Sequence, residues 1–223
     1  MTASDAGASL RREADRRAAK REATVKERFP RVGGLLLAIS GEPATTQSLR
    51  VGAEGERKAA ERILGRCGES VLFLLNRRLG PGLRNGDIDM LAVTAEGIHV
   101  IDIKYFKGAK VEVRRSGGLF TARTENLWIG GRNRTNLLDS MRRQLEAVES
   151  ALASIDRSLK INVKGTLCFV DANLPLLGTL HVRGVEIRGS REMGRKLRSA
   201  KGLLGESDRR SIYAQLAEAL PSA

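Results

Sequence analysis

Three charged residues lie on two consecutive predicted β-strands, where side chains are usually apolar. Asp89 belongs to the first strand, and Asp102 and Lys104 belong to the second, two positions apart. Side chains alternate between the faces of a strand, so Asp102 and Lys104 share one face, as do Asp87 and Asp89. Two carboxylates beside an ammonium group form a site for a divalent cation, with a charged partner for water or phosphate. Asp87 is the reserve ligand if the strand register is shifted by one pair.

The same charges have a second interpretation, a partly solvated salt-bridge cluster without function, because exposed ion pairs are common and contribute little. The setting favours the functional interpretation. Residues 98–103 place isoleucine or valine on both faces of the second strand, as in the centre of a sheet. A charge in such a strand is costly unless it is paired or bound to a metal. The face opposite the charges is expected to be filled by Ile88, Met90, Ile101 and Ile103.

A β-hairpin and the helix before it must position these charges. Residues 86–94 and 98–106 are predicted as two antiparallel strands, joined by a tight turn in which Gly97 supplies a positive φ angle. The preceding segment, 51–65, has the periodicity of an amphipathic helix. Glu56 lies on its apolar face as a third carboxylate for the site, although it can also complement the positive end of the helix dipole.

Taken together, these segments resemble the nuclease-related domain (NERD) family, a branch of the restriction-endonuclease-like PD-(D/E)xK superfamily. The resemblance rests on Gly-Ala-Glu-Gly-Glu at 52–56, Asp-Ile-Asp at 87–89 and Gly-Ile-His-Val-Ile-Asp-Ile-Lys at 97–104. It covers about residues 51–150 and implies a restriction-endonuclease-like core that uses Mg²⁺ or Mn²⁺. The implied site consists of metal-binding carboxylates at Glu56, Asp89 and Asp102, a catalytic Lys104 and a helix glutamine at Gln144.

The net charge points to a polyanionic partner. The chain has 39 Lys and Arg against 26 Asp and Glu, a net charge of +13. Residues 1–31 contribute +4 (nine basic, five acidic), residues 32–113 contribute +1 (eleven and ten), and residues 114–223 contribute +8 (nineteen and eleven). A nucleic-acid enzyme needs acids at its metal and Lys or Arg along the phosphate track. The alternative is a basic protein whose charge is merely solvated.

Nucleic-acid contacts are predicted just after the hairpin. A basic turn spans 107–110, and segments 111–115 and 118–123 are expected to continue the sheet as two further strands. The loop 128–134 then joins the only Trp of the chain to two Arg and flexible Gly, which can stack a base and hold phosphates. The alternative for this Trp is a place at the edge of the core. The predicted contacts are Lys107, Lys110, Trp128, Arg132 and Arg134.

The remaining pattern predicts an α/β domain with a central mixed β-sheet flanked by helices. A helix is expected over 135–155, with Leu137, Met141, Leu145, Val148 and Leu152 on one face and Gln144 bordering them. Gln144 could orient water or phosphate, or it could simply be satisfied by neighbouring backbone. Further elements are a buried strand at 161–171, a short strand at 182–187 and closing helices at 190–197 and 207–220.

With 223 residues, the chain can bury one good core. We predict a single domain over 32–223, with a short buried element at 32–39. The Ala- and Arg-rich segment 1–31 is expected to form a helical extension that projects from the domain, because it has hardly any hydrophobic stripe. No apolar run is long enough to span a bilayer. Cys67 and Cys168 have no metal-ligand spacing, so reduced structural thiols in a cytoplasmic protein are expected.

These observations favour a metal-dependent nuclease that hydrolyses phosphodiester bonds of DNA, or secondarily of RNA. A non-catalytic nucleic-acid-binding module that retains the nuclease fold is the alternative. A third possibility is a protein-interaction domain whose basic surface meets an acidic partner. Neither histidine fits the site, since alternation puts His99 on the face opposite Asp102 and His181 stands isolated. The sequence does not indicate an oligomeric state.

Overall fold

The computed structural model of the chain describes residues 6–28, 43–79, 87–118, 121–153, 161–175 and 179–223. The element predicted at 32–39 lies outside these residues. The helices are α1 Ala8–Arg28, α2 Ala44–Leu64, α3 Asn136–Ala151, α4 Ser190–Arg198 and α5 Glu206–Ala219. The strands are β1 Leu72–Arg78, β2 Asp87–Thr94, β3 Gly97–Tyr105, β4 Val111–Gly118, β5 Thr121–Ile129, β6 Arg132–Asn133, β7 Val163–Val170, β8 Leu180–Val182 and β9 Val185–Gly189.

Six strands form the central sheet, in the order β1-β2-β3-β7-β9-β8. The β1-β2, β2-β3 and β8-β9 pairs are antiparallel, whereas β7 is parallel to both β3 and β9. β3 lies in the middle and is buried along most of its length, as its apolar sequence predicts. The predicted fold class, an α/β domain with a central mixed sheet flanked by helices, is confirmed.

Helices cover both faces of this sheet and divide the core into two clusters. α3 and α5 pack on one face and contribute Met141 and Leu216 to the first cluster. α2 and α4 pack on the other face and contribute Ile63 and Met193 to the second. Within the part of the chain that the structure describes, no helix is both long and apolar enough to cross a bilayer.

The apolar face of the hairpin differs from the prediction at one residue. Met90, Ile101 and Ile103 lie together in the second cluster, as expected. Ile88, which was expected beside them, instead lies in the first cluster. β2 pairs with β3 only from Met90 onward, and residue 88 pairs with β1 alone. The alternation of β2 side chains between the two faces of the sheet is therefore interrupted between residues 88 and 90, where β2 is no longer paired with β3.

The sequence predicted that the strands after the hairpin would continue the central sheet, and this prediction is wrong. β4, β5 and β6 form a separate three-stranded antiparallel sheet. Its inner side chains, including Val111, Leu127 and Ile129, join the first core cluster. The predicted loop 128–134 is largely strand, since only Gly130 and Gly131 form the turn, with φ angles of 55° and 76°. Such angles strain any residue with a side chain.

The N-terminal helix lies against the domain rather than projecting from it. Ala14 is fully buried, and Leu10 contacts α2 at Gly52. A Cβ atom added to Gly7 would lie 2.6 Å from the carbonyl oxygen of Ala53. Small residues on both sides therefore allow close backbone approach, which replaces the hydrophobic stripe that the sequence lacks.

The remaining elements follow the predictions with modest shifts. The helix predicted over 135–155 is α3, and residues 154 and 155 lie outside the described part of the chain. The strand predicted at 161–171 is β7, and the one predicted at 182–187 is the β8-β9 hairpin. α4 and α5 are the two closing helices, and both cysteines are free.

Gln144 is buried, because α3 is rotated by about one position from the predicted orientation. Leu138 rather than Leu137 is buried, together with Met141, Gln144 and Val148. The helix packs closely on β7, since a Cβ atom added to Gly165 would lie 2.7 Å from the sulfur of Met141. Gln144 therefore points toward the sheet instead of bordering the apolar face.

Candidate active site

The site begins where β2 and β3 separate. Their last ladder pair is Met90 with Ile101. Two residues further along β3, the backbone N–H of Ile103 donates a hydrogen bond to Oδ2 of Asp89, with a donor–acceptor distance of 2.6 Å. A side-chain carboxylate thus accepts the bond that a β2 carbonyl would accept in a continued ladder. This bond holds Asp89 beside the strand that carries the other two predicted residues.

Asp102, Lys104 and Gln144 meet on the face of β3 that α3 covers. Nζ of Lys104 lies 2.8 Å from Oδ2 of Asp102, a close ion pair rather than a well-aligned hydrogen bond. Nε2 of Gln144 donates a hydrogen bond of 3.0 Å to Oδ1 of Asp102. Asp102 is 3 % exposed and Gln144 is 1 % exposed. Both oxygens of this buried carboxylate therefore face positive or donor groups.

Glu56 reaches the site from α2. The helix backbone touches β3 next to Lys104, because a Cβ atom added to Gly55 would lie only 2.5 Å from the Cβ of Tyr105. Glu56 is 6 % exposed, and its Oε2 is buried without a hydrogen-bond partner among the described residues. Burial, and next the charge of Asp89, raises the pKa of the Glu56 carboxyl to about 9.

Burial and neighbouring charges also shift the pKa values of Asp89 and Lys104. Burial and the neighbouring Asp102 raise the pKa of Asp89 to about 7. Burial alone would lower the pKa of Lys104, but Asp102 and Asp89 outweigh it, so this pKa lies above its usual value. Burial, and next the repulsion between neighbouring carboxylates, therefore disfavours the charged forms of Glu56 and Asp89.

The chemistry of the donors suits a hard divalent cation, which takes carboxylate and amide oxygens as ligands. Besides the Glu56 oxygen, Oε1 of Gln144 is buried and has no hydrogen-bond partner in the described residues. Yet no group of three His, Cys, Asp or Glu among those residues is arranged so that it could hold a metal ion. The donor set therefore fits a cation, while its present arrangement is that of an ion-paired cluster.

The reserve ligand and the histidines occupy other positions. Asp87 is the first residue of β2, opposite Arg78, and its charge raises the pKa of Glu56 less than Asp89 or Asp102 does. His99 is 1 % exposed and lies 3.4 Å from the hydroxyl of Thr94, on the face opposite Asp102. Burial, and next the charge of Lys196, lowers the pKa of His99 to about 4. His181 is exposed.

The predicted nucleic-acid contacts all belong to the segment between β3 and α3. Lys107 and Lys110 are exposed in the turn after β3, and Lys110 pairs with Glu112 at 2.8 Å. Arg132 is exposed on β6, and the partly buried Arg134 follows it.

Trp128, on β5, is half-buried beneath Arg114, whose guanidinium lies 3.8 Å from the centre of the indole ring. The sequence interpretation did not include Arg114. Pairing β4 with β5 and following their alternation would have placed it on the face of Trp128.

Comparison with known proteins identifies the family of this chain. The family model for the nuclease-related domain (NERD) matches residues 51–170, more than half of the chain. No curated protein and no solved structure matches the chain. The matched range runs from α2 to the end of β7, so it contains all five residues of the cluster. The predicted resemblance is confirmed, and the chain belongs to the nuclease-related domain family.

Proposed function

We propose that the protein is a metal-dependent nuclease that hydrolyses phosphodiester bonds of DNA, with RNA as the second candidate substrate. One observation carries the proposal. Lys104 and Gln144 both contact Asp102, beside the Asp89 carboxylate and within electrostatic range of Glu56. These residues come from two strands and two helices, and their types match those needed to cleave an anionic ester.

Glu56, Asp89 and Asp102 would hold Mg²⁺ or Mn²⁺. The bound cation would polarise the phosphoryl group and lower the pKa of an adjacent water molecule. The positive charge of the cation would offset the burial and the mutual repulsion that raise the pKa of Glu56 and of Asp89. Oε2 of Glu56, which has no hydrogen-bond partner among the described residues, would be available as a ligand oxygen.

Lys104 and Gln144 would act on the substrate and on the carboxylate, respectively. Lys104 is held as a cation by Asp102 and is 26 % exposed, so its ammonium can approach a phosphate and neutralise the charge that develops in the transition state. Gln144 fixes the orientation of Asp102 through its hydrogen bond. We assign the phosphate track to Lys107, Lys110, Arg132 and Arg134.

Cleavage assays on plasmid and linear DNA with Mg²⁺ or Mn²⁺ test the proposal. We expect Lys104→Ala to lower the cleavage rate by about 10²-fold or more, as removal of one transition-state donor does. DNA binding measured in EDTA should change little. Lys201→Ala is the matched control, because it removes an exposed lysine to which we assign no role and should leave the cleavage rate unchanged. Cleavage that survives Lys104→Ala or Asp102→Ala would contradict the assigned site.

A non-catalytic nucleic-acid-binding module is the second candidate. The Lys104–Asp102 ion pair favours it, since the ammonium already occupies a carboxylate that the cation would need. This candidate predicts binding of DNA without turnover in either metal. It also predicts no heat of binding when Mn²⁺ is titrated into the protein, whereas the nuclease should show saturable binding that Asp102→Ala removes.

A further inference from the structure

Trp128 lies on the outer face of the β4-β5-β6 sheet. Its neighbours Leu127 and Ile129 point inward and are buried in the first core cluster. Trp128 points the other way and is only half-buried. A large aromatic ring on the solvent-facing side of a small sheet contributes little to the core, so its position calls for another explanation.

Arg114 covers this ring. In the strand register, Trp128 lies opposite Glu112, and Arg114 is the diagonal neighbour on the same face. The guanidinium lies 3.8 Å from the ring centre, at the distance of direct stacking. The Arg114 side chain is 51 % exposed, and its contact with Glu112 is a loose ion pair of 3.5 Å. One face of the Arg114 guanidinium therefore stacks on the indole ring, and the other face is open to solvent.

A second cation lies beside the stacked pair. Alternation places Lys110 on the same outer face, where its side chain is 73 % exposed. On β6, the neighbour of Trp128 on this face is the uncharged Asn133. Glu112 is the only carboxylate that approaches Lys110 or Arg114 among the described residues. The balance of charge on this face favours an anionic partner.

We propose that Arg114 and Trp128 form a platform that stacks an unpaired base of a single-stranded nucleic acid. A base within a duplex has both faces covered by its neighbours, whereas an unpaired base can stack on a guanidinium or on an aromatic ring. Lys110, on the same face, would contact a flanking phosphate. The proposal rests on the proposed function and narrows its substrate to nucleic acid with a single-stranded segment.

The position of the platform in the chain connects it to the site. The β4-β5-β6 sheet is inserted between β3, which carries Asp102 and Lys104, and α3, which carries Gln144. A hydrogen bond of 2.9 Å from the N–H of Gly130 to the carbonyl of Lys110 ties the β5-β6 turn to the start of β4. A strand bound on the platform would therefore be anchored to the segment that joins two of the site-bearing elements.

Intrinsic fluorescence can test this directly, because Trp128 is the only tryptophan in the chain. The full chain is titrated in EDTA with an unlabelled oligothymidylate and, separately, with a blunt duplex of the same length. We expect saturable quenching by the single strand and little change with the duplex. Quenching equal to the single-strand value by the blunt duplex, or none by either, would overturn the proposal.

Matched variants separate stacking from charge. Arg114→Ala should weaken single-strand binding by about tenfold more than Arg115→Ala, since both remove one arginine from β4 but only Arg114 lies on the ring. The two variants should weaken duplex binding equally. Equal losses on the single strand would reduce Arg114 to a phosphate contact and refute the platform.

Conservative replacement provides a second check that does not depend on the fluorophore. Anisotropy of a labelled oligothymidylate should show that Trp128→Phe retains most of the affinity and Trp128→Leu loses it, with circular dichroism confirming that both variants fold. Leu binding as tightly as Phe would contradict the proposal. These measurements omit metal, so a failed platform and an absent nuclease activity give different results.

Discussion

Replacing Glu56 with glutamine should stabilise the metal-free protein while removing its capacity to cleave nucleic acid. Glutamine keeps the shape of the side chain and loses the charge. The Glu56 carboxylate has an oxygen without a hydrogen-bond partner in the described residues and suffers repulsion from Asp89, so the substitution removes unfavourable terms and few favourable ones. Opposite changes in stability and activity are the expected mark of a functional carboxylate.

The raised pKa of Glu56 sets the magnitude. The pKa is about 9 in the folded protein against 4.5 ordinarily, so at pH 7 the folded state must hold a proton that the unfolded chain has released. Linkage gives an upper limit of about 3 kcal/mol at that pH, and we expect a measured gain of about 2 kcal/mol. Stability from this group is complete below pH 4.5 and is lost as the pH rises toward 9. The advantage of the variant should therefore grow over that range.

Urea unfolding in EDTA between pH 5 and 8 measures this effect. The matched control is Glu54→Gln on the same helix, where the carboxylate is 46 % exposed and pairs with Arg57. We expect that control to be neutral or slightly destabilising. In saturating Mn²⁺ the wild type should gain stability by ligand linkage and Glu56→Gln should gain less. If Glu56→Gln is no more stable than the wild type at pH 8 in EDTA, the penalty that burial and the charge of Asp89 impose on the Glu56 carboxylate is absent.

Three further predictions concern packing, titration and the hydrogen bond to the carboxylate. Gly55→Ala should destabilise the protein by about 1–2 kcal/mol and lower activity, because the new Cβ would meet β3 at 2.5 Å; Gly68→Ala, with nothing within 4 Å, should be neutral in urea unfolding. Since the pKa of His99 is lowered to about 4, stability present above pH 6.5 should fall by up to about 3 kcal/mol toward pH 4. Urea unfolding at a series of pH values would measure this loss of stability. His99→Gln should abolish the loss, whereas the control His181→Gln, at an exposed position, should still show it. Gln144→Leu should cost about 1–2 kcal/mol and reduce the cleavage rate with DNA affinity preserved, as unfolding and binding assays would show.

The local patterns in the sequence were sufficient to predict the hairpin and its charges. Alternation along 98–103 identified a central strand and placed Asp102 and Lys104 on one face, because the period of two is a property of the strand itself. The helical period likewise located the buried face of α2 with Glu56 on it. These inferences hold without knowledge of distant residues, since they depend only on backbone geometry and on the burial of apolar side chains.

Contacts between distant segments were decided only by the tertiary structure. The sequence does not reveal that β4, β5 and β6 leave the central sheet, or that α1 docks through small residues, because both depend on which surfaces remain uncovered after the core has formed. The buried face of α3 differs by about one position from the predicted face, and this difference places Gln144 against Asp102, 42 residues away. Periodicity assigns a side chain to a face, but only packing across the core determines which group it meets.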